Sequence, residues 1–231
     1  MKLLAFETST EACSVAAYVD GEVRERFDIA PRRHAELALP WAEALLAEAG
    51  IARAQLDAIA VGRGPGAFTG VRLAIAIAQG IALALDRPVL PVSTLAALAM
   101  RAGGERRIAA IDARMGEVYL GRFVLQPDGD LGALGEETVV APAAAAMPDG
   151  DGWHGAGTGF AAADGALRVR FGERLATVDA QALPHAADVA RLAALACARG
   201  EALAPERMEP AYLRNNVALT IAERAAQGIT R

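Results

Sequence analysis

The sequence predicts an α/β protein built from two lobes of related topology. Short apolar runs, typical of buried strands, alternate with stretches of helical spacing along the chain. A strand–turn–strand pattern near the start of the chain returns in the second half. Hydrophobic residues make up 54% of the chain, enough for a sizeable core. We place the boundary near Gly103-Gly104, which gives lobes of residues 1–104 and 105–231.

The first half carries five predicted strands and three predicted helices. Asp20-Gly21 supplies hairpin turn chemistry between the second and third strands, because glycine tolerates positive φ. Thr69 or Gly70 is the expected cap of the second helix, and Ser93 that of the third. The predicted strands are Lys2–Phe6, Cys13–Val19, Glu22–Ile29, Asp57–Val61 and Val89–Val92. The predicted helices are His34–Ala49, Val71–Leu85 and Ser93 to about Arg101.

The second half repeats this pattern in outline. An apolar run ends in Asp112, as the first strand ends in Glu7. An alternating run over Glu117–Phe123 then reaches the turn pair Asp128-Gly129, which matches the earlier Asp-Gly turn. The rest of this half is rich in alanine and glycine, and Ala186–Arg199 is its best predicted helix.

Composition excludes several classes of protein. The net charge is −5 and no basic run occurs, whereas nucleic-acid binders usually carry a basic stripe that neutralises phosphates. Cys13 and Cys197 are too far apart to predict a disulfide framework or a zinc site. The opening Met1–Phe6 is too short for a signal-peptide core, and residues 73–85, interrupted by Gln79, fit a buried helix better than a membrane span. We therefore expect a soluble, cytoplasmic protein.

The turn after the first strand is one candidate ligand site. Hydroxyls and backbone amides in such a turn can hold a phosphate, and an acid there can hold Mg²⁺ through water. The alternative is that these residues only close a β-hairpin. Asp112, the acid at the corresponding place in the second half, belongs to the same hypothesis. The alternative for Asp112 is an ordinary charged hairpin. The candidate positions are Glu7, Thr8, Ser9, Thr10 and Asp112.

The segment Gly62–Gly70 is the sharpest local feature, since it joins a strand to a helix through four glycines. Amides at such a junction can meet an anion. The segment lacks the Gly-Lys-Ser/Thr of a P-loop, and no acid ends the next strand to hold a ribose. The alternative is a tight turn that lets helix and strand approach closely. Both interpretations stay open at this point.

The sequence shows neither the pattern of a transition-metal site nor that of a catalytic nucleophile. His34, His154 and His185 are far apart, and none has a second histidine or cysteine at metal-ligand spacing. No Gly-x-Ser-x-Gly elbow of a serine hydrolase occurs. We predict no catalytic and no metal-binding residues in this chain.

Two helices of the first half carry more apolar residues than one buried stripe needs. The helix Val71–Leu85 is apolar nearly all round, whereas a surface helix of a monomer should show a polar face. We expect a partner to pack there, and arginine at Ala78 or Ala82 to abolish pairing without unfolding the chain. The alternative is that the second lobe covers this face. The predicted partner-binding residues are Leu39, Leu45, Leu46, Val71, Ala74, Ile75, Ala78, Ile81 and Ala82.

Four segments together resemble a known family. They are Leu4–Ser14 (LAFETSTEACS), Leu56–Arg72 (LDAIAVGRGPGAFTGVR), Ile111–Tyr119 (IDARMGEVY) and Glu209–Arg214 (EPAYLR). The chain resembles the TsaB family, also called YeaZ, over residues 2 to about 214, and the glycine-rich segment is the most specific part. The resemblance implies an actin-like fold of the ASKHA, ribonuclease H-like type.

The resemblance also implies a role and partners. Such proteins belong to the machinery that places threonylcarbamoyl on N6 of adenosine 37 in tRNAs reading codons that begin with A. They pair with the catalytic paralogue TsaD, and with the ATPase TsaE in bacteria, and TsaB-type proteins pair through helices of the first lobe. We therefore predict a helix-bundle interface that serves a homodimer when the chain is alone and the paralogue in the cell. ATP, ADP and metal are then expected in the partners, with no cofactor in this chain, and tRNA is met only through the complex.

The resemblance also implies that catalysis lies elsewhere. The catalytic paralogue carries a His-x-x-x-His metal pair after the strand that corresponds to Val89–Val92, and Thr94 and Leu98 occupy those two places here. Family members usually have Asp where this chain has Glu7. Glycoprotease and M22 peptidase names attach to this superfamily, but no peptidase chemistry is predicted without the metal pair.

Two rival functions remain. One is a free-standing nucleotide-dependent kinase or acyltransferase of the actin-like superfamily, which would bind nucleotide on its own. The other is a homodimeric structural protein without a further partner.

Overall fold

Two mixed β-sheets organise the protein in the computed structural model, which describes residues 1–214. The strands are β1 (Lys2–Glu7), β2 (Ala12–Val19), β3 (Glu22–Ile29), β4 (Ala58–Gly62), β5 (Val89–Val92), β6 (Arg106–Arg114), β7 (Glu117–Leu125), β8 (Leu131–Ala133), β9 (Thr138–Val140), β10 (Trp153–Ala156) and β11 (Leu175–Asp179). The helices are α1 (His34–Glu48), α2 (Phe68–Leu85), α3 (Thr94–Ala99), α4 (Ala162–Phe171) and α5 (Ala186–Ala198).

The two sheets share one topology, which confirms the predicted pair of related lobes. The first sheet has the order β3-β2-β1-β4-β5, and the second β8-β7-β6-β10-β11, with the short strand β9 also paired to β7. In each, the leading strand, β1 or β6, pairs antiparallel with the next strand and parallel with a later one. Asp20 and Gly21, with φ of 49° and 102°, form the turn between β2 and β3 as predicted.

Helices cover both faces of the first sheet. α1 and α2 lie on one face, where their side chains surround Phe6, Ile59 and Val61. α5 lies on the other face, against Leu3, Leu90 and a layer of alanines. Small residues allow α5 to approach the sheet closely, because little side chain holds the two apart. This sheet is therefore buried on both sides, which explains its nearly unbroken apolar strands.

The second sheet packs on α3 and α4. Leu95 and Leu98 of α3 contact Ile111 and Phe123, whereas α4 contributes to a separate cluster around Ile108 and Phe160. α5 follows residue 104 in the sequence but packs on the first sheet. The division at residues 104 and 105 stays a prediction, and a cut there would remove α5 from the sheet it covers.

α2 begins earlier than its sequence predicts. Ala67 takes the N-cap position without a side-chain hydrogen bond, so the expectation of a cap at Thr69 or Gly70 is wrong. The helix starts there because the Ala67 amide donates to the Ser9 carbonyl at 2.7 Å and the Ala67 carbonyl accepts from Val71 at 3.0 Å. The predicted cap Ser93 is confirmed for α3, since its Oγ accepts from the amides of Leu95 and Ala96.

α2 is also apolar enough to cross a membrane by length and composition alone, a property it shares with no other helix among residues 1–214. One face of it packs on the first sheet through Val71, Ala74, Ile75, Ala78 and Ala82. That packing accounts for the apolar residues on one face only, and the apolar residues on the opposite face need another explanation.

Candidate functional site

The turn after β1 and the glycine-rich turn after β4 meet at one edge of the first sheet. β1 and β4 are parallel neighbours, with Phe6 opposite Val61. The carboxyl ends of parallel neighbours lie at the same edge, where α/β sheets commonly bind ligands. Residues 7–10 therefore pack directly on residues 62–70.

Glu7 is buried at this junction and bonded to its own chain. The Ser9 amide donates to Oε1 at 2.7 Å, and the Thr94 hydroxyl donates to Oε2 at 2.9 Å. Burial raises the pKa of Glu7 above its usual range, although the polar groups of Ser9, Thr94 and Thr8 act to lower it. Both carboxyl oxygens are thus engaged inside the protein rather than presented to a ligand.

The glycines of the segment allow this close packing. A Cβ atom on Gly62 would overlap the Glu7 carboxyl, and one on Gly70 would overlap the Thr8 carbonyl. A Cβ on Gly66 would lie 2.5 Å from the Ser9 carbonyl oxygen. The geometry therefore describes the tight turn that the sequence left as one of two interpretations.

The predicted ligand positions divide between the interior and a cleft. Thr8 is buried with Glu7, and its hydroxyl donates to the Gly70 carbonyl at 2.7 Å. Ser9 and Thr10 line a cleft of about 920 Å³ that opens between the two lobes, and Asp112 lines it from the second lobe. The turn also closes the β1–β2 hairpin, in agreement with the second interpretation. The five positions are therefore not brought together as one ligand shell.

Asp112 is held by its own hairpin. Its carboxylate accepts from the Arg114 amide at 2.8 Å and from Nη1 of Arg114 at 3.0 Å. Glu7 and Asp112 thus occupy equivalent strand ends in very different surroundings, one buried and one partly exposed.

Thr94 and Leu98 lie one turn apart on α3, and both are fully buried. Thr94 Oγ1 accepts from the Gly64 amide at 3.1 Å while it donates to Glu7. Leu98 packs in the apolar cluster beneath the second sheet. These two positions therefore contribute to packing and to the Glu7 hydrogen-bond network.

The three histidines each contact their own chain. Nε2 of His34 lies 3.1 Å from the Thr10 carbonyl oxygen, Nδ1 of His154 lies 2.7 Å from Thr177 Oγ1, and Nδ1 of His185 lies 2.9 Å from Glu25 Oε2. Within residues 1–214, no group of three or more His, Cys, Asp or Glu side chains is arranged to hold a metal ion.

Comparisons with known proteins agree with this geometry. A family model described as "TsaD: tRNA N6-adenosine threonylcarbamoyltransferase" matches residues 28–222. The chain is 41% identical to the "tRNA threonylcarbamoyladenosine biosynthesis protein TsaB" of Escherichia coli K12, over 94% of this chain and 96% of that protein. The chain belongs to the TsaB (YeaZ) family.

Other TsaB relatives match over nearly the whole chain. The protein of the same name from Haemophilus influenzae is 39% identical over 94% of this chain and 95% of its own length. A solved structure described as "YeaZ from Pseudomonas aeruginosa" is 50% identical, with a TM-score of 0.85 over 92% of this chain and 99% of that one. These relatives confirm the predicted family and its actin-like two-lobed fold.

The partner-binding residues predicted for this TsaB-family chain lie mostly in its own core. Leu39 is exposed and Ile81 is partly buried; the other seven are buried. Direct partner contact by those seven stays a prediction. The expectation that arginine at Ala78 or Ala82 leaves the fold intact is untested; because both side chains are fully buried against the first sheet, we now expect arginine there to prevent folding. The buried seven are Leu45, Leu46, Val71, Ala74, Ile75, Ala78 and Ala82.

A different face of α2 is accessible. Ala76, Gly80, Leu83 and Ala84 are exposed along it, and the Leu83 side chain is 63% exposed. A groove of about 280 Å³ runs beside this face, between α2 and α1, and Leu39 lines its other wall. The sequence pattern of α2 predicted that the helix has more apolar surface than one buried stripe needs, but it did not show which side of the helix faces the sheet.

Sequence reasoning missed a cluster at the mouth of the cleft. The guanidinium of Arg72 lies 3.2 Å from the centroid of the Phe68 ring and 5.1 Å from that of Tyr212. Arg214 donates to Glu117 at 2.5 Å across the cleft. Tyr212 and Arg214 belong to the segment EPAYLR, one of the four that carry the TsaB resemblance, so a signal was present without an assigned role.

Proposed function

We propose that this chain is the non-catalytic scaffold and activator subunit of the complex that transfers threonylcarbamoyl to N6 of adenosine 37 in tRNAs reading codons that start with A. The observation that carries the proposal is the similarity, over nearly the full chain, to relatives named as tRNA threonylcarbamoyladenosine biosynthesis proteins. The partners are the catalytic paralogue TsaD and the ATPase TsaE. The complex works in the cytoplasm without a membrane, and tRNA is modified only when it is assembled.

The surroundings of Thr94 support a non-catalytic role. Its hydroxyl is shared between Gly64 and Glu7, and Leu98 beside it is packed in a core cluster. A threonine hydroxyl and a leucine supply no imidazole for a transition metal. Catalytic metal and nucleotide are accordingly assigned to the partner subunits.

The accessible face of α2 supports pairing through the first lobe. Exposed small residues let a second helix approach. Leu39 lines the groove on α1, and the exposed Leu83 adds apolar surface on the accessible face of α2. We place the contact on Ala76, Gly80, Leu83 and Leu39, with the seven buried residues shaping the surface from beneath. The same face serves a homodimer when the chain is alone and TsaD in the cell.

Reconstitution tests both parts of the proposal. The chain is co-purified with TsaD and TsaE, and tRNA modification is measured with and without it. Modification that proceeds equally well without the chain overturns the activator role. Leu83→Arg should abolish pairing and modification together, whereas Val169→Arg, on the 80% exposed side chain of α4, is a matched control. If a folded Leu83→Arg protein still pairs normally, the interface does not include this face of α2.

A second candidate is a free-standing nucleotide-dependent kinase or acyltransferase. The observation that favours it is the 920 Å³ cleft between the lobes, which is large enough for a nucleotide. Against it, the buried Glu7 is bonded within the chain, and the only lysine, Lys2, stands at the opposite end of β1 from that turn. Micromolar binding of Mg-ATP by the isolated chain, measured by calorimetry, would favour the kinase.

A further inference from the structure

The mouth of the inter-lobe cleft carries a cluster of arginines and exposed apolar side chains from both lobes. Phe68 and Tyr212 are 67% and 56% exposed, and Met115 is 82% exposed on the opposite rim. Arg72 lies between the two rings, while Arg214 reaches the Met115 sulfur at 3.7 Å. We call these five residues the mouth cluster. Its members come from three segments that are distant in sequence, so only the folded chain assembles them.

The cluster is also a local concentration of positive charge on an acidic chain. Four arginines are among the described residues that line the cleft, Arg32, Arg72, Arg114 and Arg214, against the acids Glu11 and Asp112. Arg114 is paired with Asp112 and Arg214 with Glu117, which leaves Arg32 and Arg72 without a carboxylate partner among the described residues. The net charge of the whole chain is −5. A polyanion that avoids most of this surface would therefore be attracted here.

Arg72 has unused hydrogen-bonding capacity. Its Nη2 donates to the Tyr212 hydroxyl, but its Nη1 is buried and has no partner among the described residues. An arginine N–H can only donate, so this atom needs an oxygen acceptor. Because the atom is buried, a phosphate oxygen or a base carbonyl bound at the mouth would satisfy it once the guanidinium turns outward.

We propose that the mouth cluster is a direct contact site for single-stranded RNA. The Arg72 guanidinium lies over both rings, and both rings remain largely exposed, so each offers accessible surface to another flat π-system. Nucleobases stack on aromatic side chains while neighbouring arginines hold the phosphates. An acidic peptide would use the arginines but would leave the ring faces unused, and for this reason we commit to RNA.

The identity of the RNA rests on the proposed function: the RNA would be an unpaired segment of the tRNA that is being modified. It revises the expectation that tRNA is bound only through the complex, because this chain would itself add a weak contact to the tRNA. Binding is expected to weaken with rising salt as phosphate contacts are lost.

The test uses the isolated full chain and a fluorescein-labelled single-stranded RNA dodecamer, followed by fluorescence anisotropy at low salt. Replacing both exposed rings, Phe68→Ala with Tyr212→Ala, should weaken binding about tenfold or more, as loss of base stacking does elsewhere. Arg72→Gln should weaken it as well. Val169→Ala shortens an exposed apolar side chain on α4, away from the mouth cluster, and should leave binding unchanged.

Several results would overturn the inference. The first is that the wild-type chain does not bind the RNA. The second is that the double variant, with its fold intact, binds the RNA as tightly as the wild type does. The third is that a poly-glutamate peptide of the same length competes as well as unlabelled RNA. The last result would mark an acidic-peptide site instead.

A further comparison separates this inference from the proposed function. The double variant should still pair with TsaD while raising the KM for tRNA in the reconstituted reaction. Lost pairing by Leu83→Arg with intact RNA binding would support both claims independently. Failure of reconstitution would count against the proposed function alone, since RNA binding is measured without partners.

Discussion

The hydroxyl of Thr94 donates to Oε2 of Glu7 at 2.9 Å, which joins the end of β1 to the start of α3. The two residues are 87 positions apart, and both are buried. Thr94 also accepts from the Gly64 amide, so one side chain ties three segments together. Thr94 therefore has a structural role in this protein.

Thr94→Val should destabilise the protein by about 1–3 kcal/mol, because it leaves a buried carboxyl oxygen and the Gly64 amide without partners. Urea unfolding followed by circular dichroism measures the loss. Thr69→Val, at an exposed position of α2, is the control and should change stability little. Equal stability of both variants would contradict the assigned network.

Glu7→Gln should change how stability depends on pH. Burial raises the pKa of Glu7, so the folded state favours the protonated form. Its stabilising contribution is present below the ordinary carboxyl range and is lost as pH rises through the raised pKa. The difference in melting temperature, wild type minus Glu7→Gln, should therefore fall with rising pH and then level off. A difference that grows with pH would mean that Glu7 is held charged.

Ala78→Arg should prevent folding, whereas Leu83→Arg should not. Ala78 is fully buried between α2 and the first sheet, so an arginine there would place an unpaired charge in the core. Leu83 lies on the accessible face, where a charge stays solvated. Soluble yield and thermal unfolding of the two variants test this difference. A folded Ala78→Arg protein would show that α2 packs in another orientation.

The two cysteines should differ in reactivity. Burial, with a contribution from the charge of Asp28, raises the pKa of Cys13 to about 11, so its thiol stays protonated near neutral pH. Cys197 is partly exposed. One thiol should react with Ellman's reagent in the native protein and two after denaturation. Cys197→Ser should abolish the native reaction and Cys13→Ser should leave it intact; the reverse pattern would contradict the assignment.

Glu25→Gln should loosen the attachment of α5 to the first sheet. Burial alone would raise the pKa of Glu25, but hydrogen bonds from His185, Ser14 and the Ala187 amide outweigh it and hold the pKa below its usual range. The resulting stability is present above the ordinary carboxyl range and is lost as pH falls. The variant should lose about 1–3 kcal/mol at neutral pH and approach the wild type in acid.

Glu22→Gln, on the same strand but exposed, is the control for this prediction. Hydrogen exchange of α5 amides gives a second readout, since protection should fall in Glu25→Gln but not in the control. A loss of stability that persists unchanged in acid would point to packing rather than to the charge of Glu25.

The sequence by itself determined the architecture of this protein. Periodicity placed the main strands and helices of the first lobe, because runs of two-residue and 3.6-residue period are local properties of the chain. The Asp-Gly turns and the paired acids, Glu7 and Asp112, revealed the repeated topology. Four local motifs carried the family resemblance for the same reason.

Only the tertiary structure decided which face of each element is used. α2 is apolar nearly all round, so its pattern could not show that Ala78 faces the sheet while Leu83 faces outward. Glu7 became a buried, bonded carboxyl because α3 brings Thr94 to it from a distant part of the chain. Arg72 met Tyr212 only because the segment after α5 returns across the cleft. Contacts between distant segments depend on how the sheets and helices pack in three dimensions, and no local pattern records them.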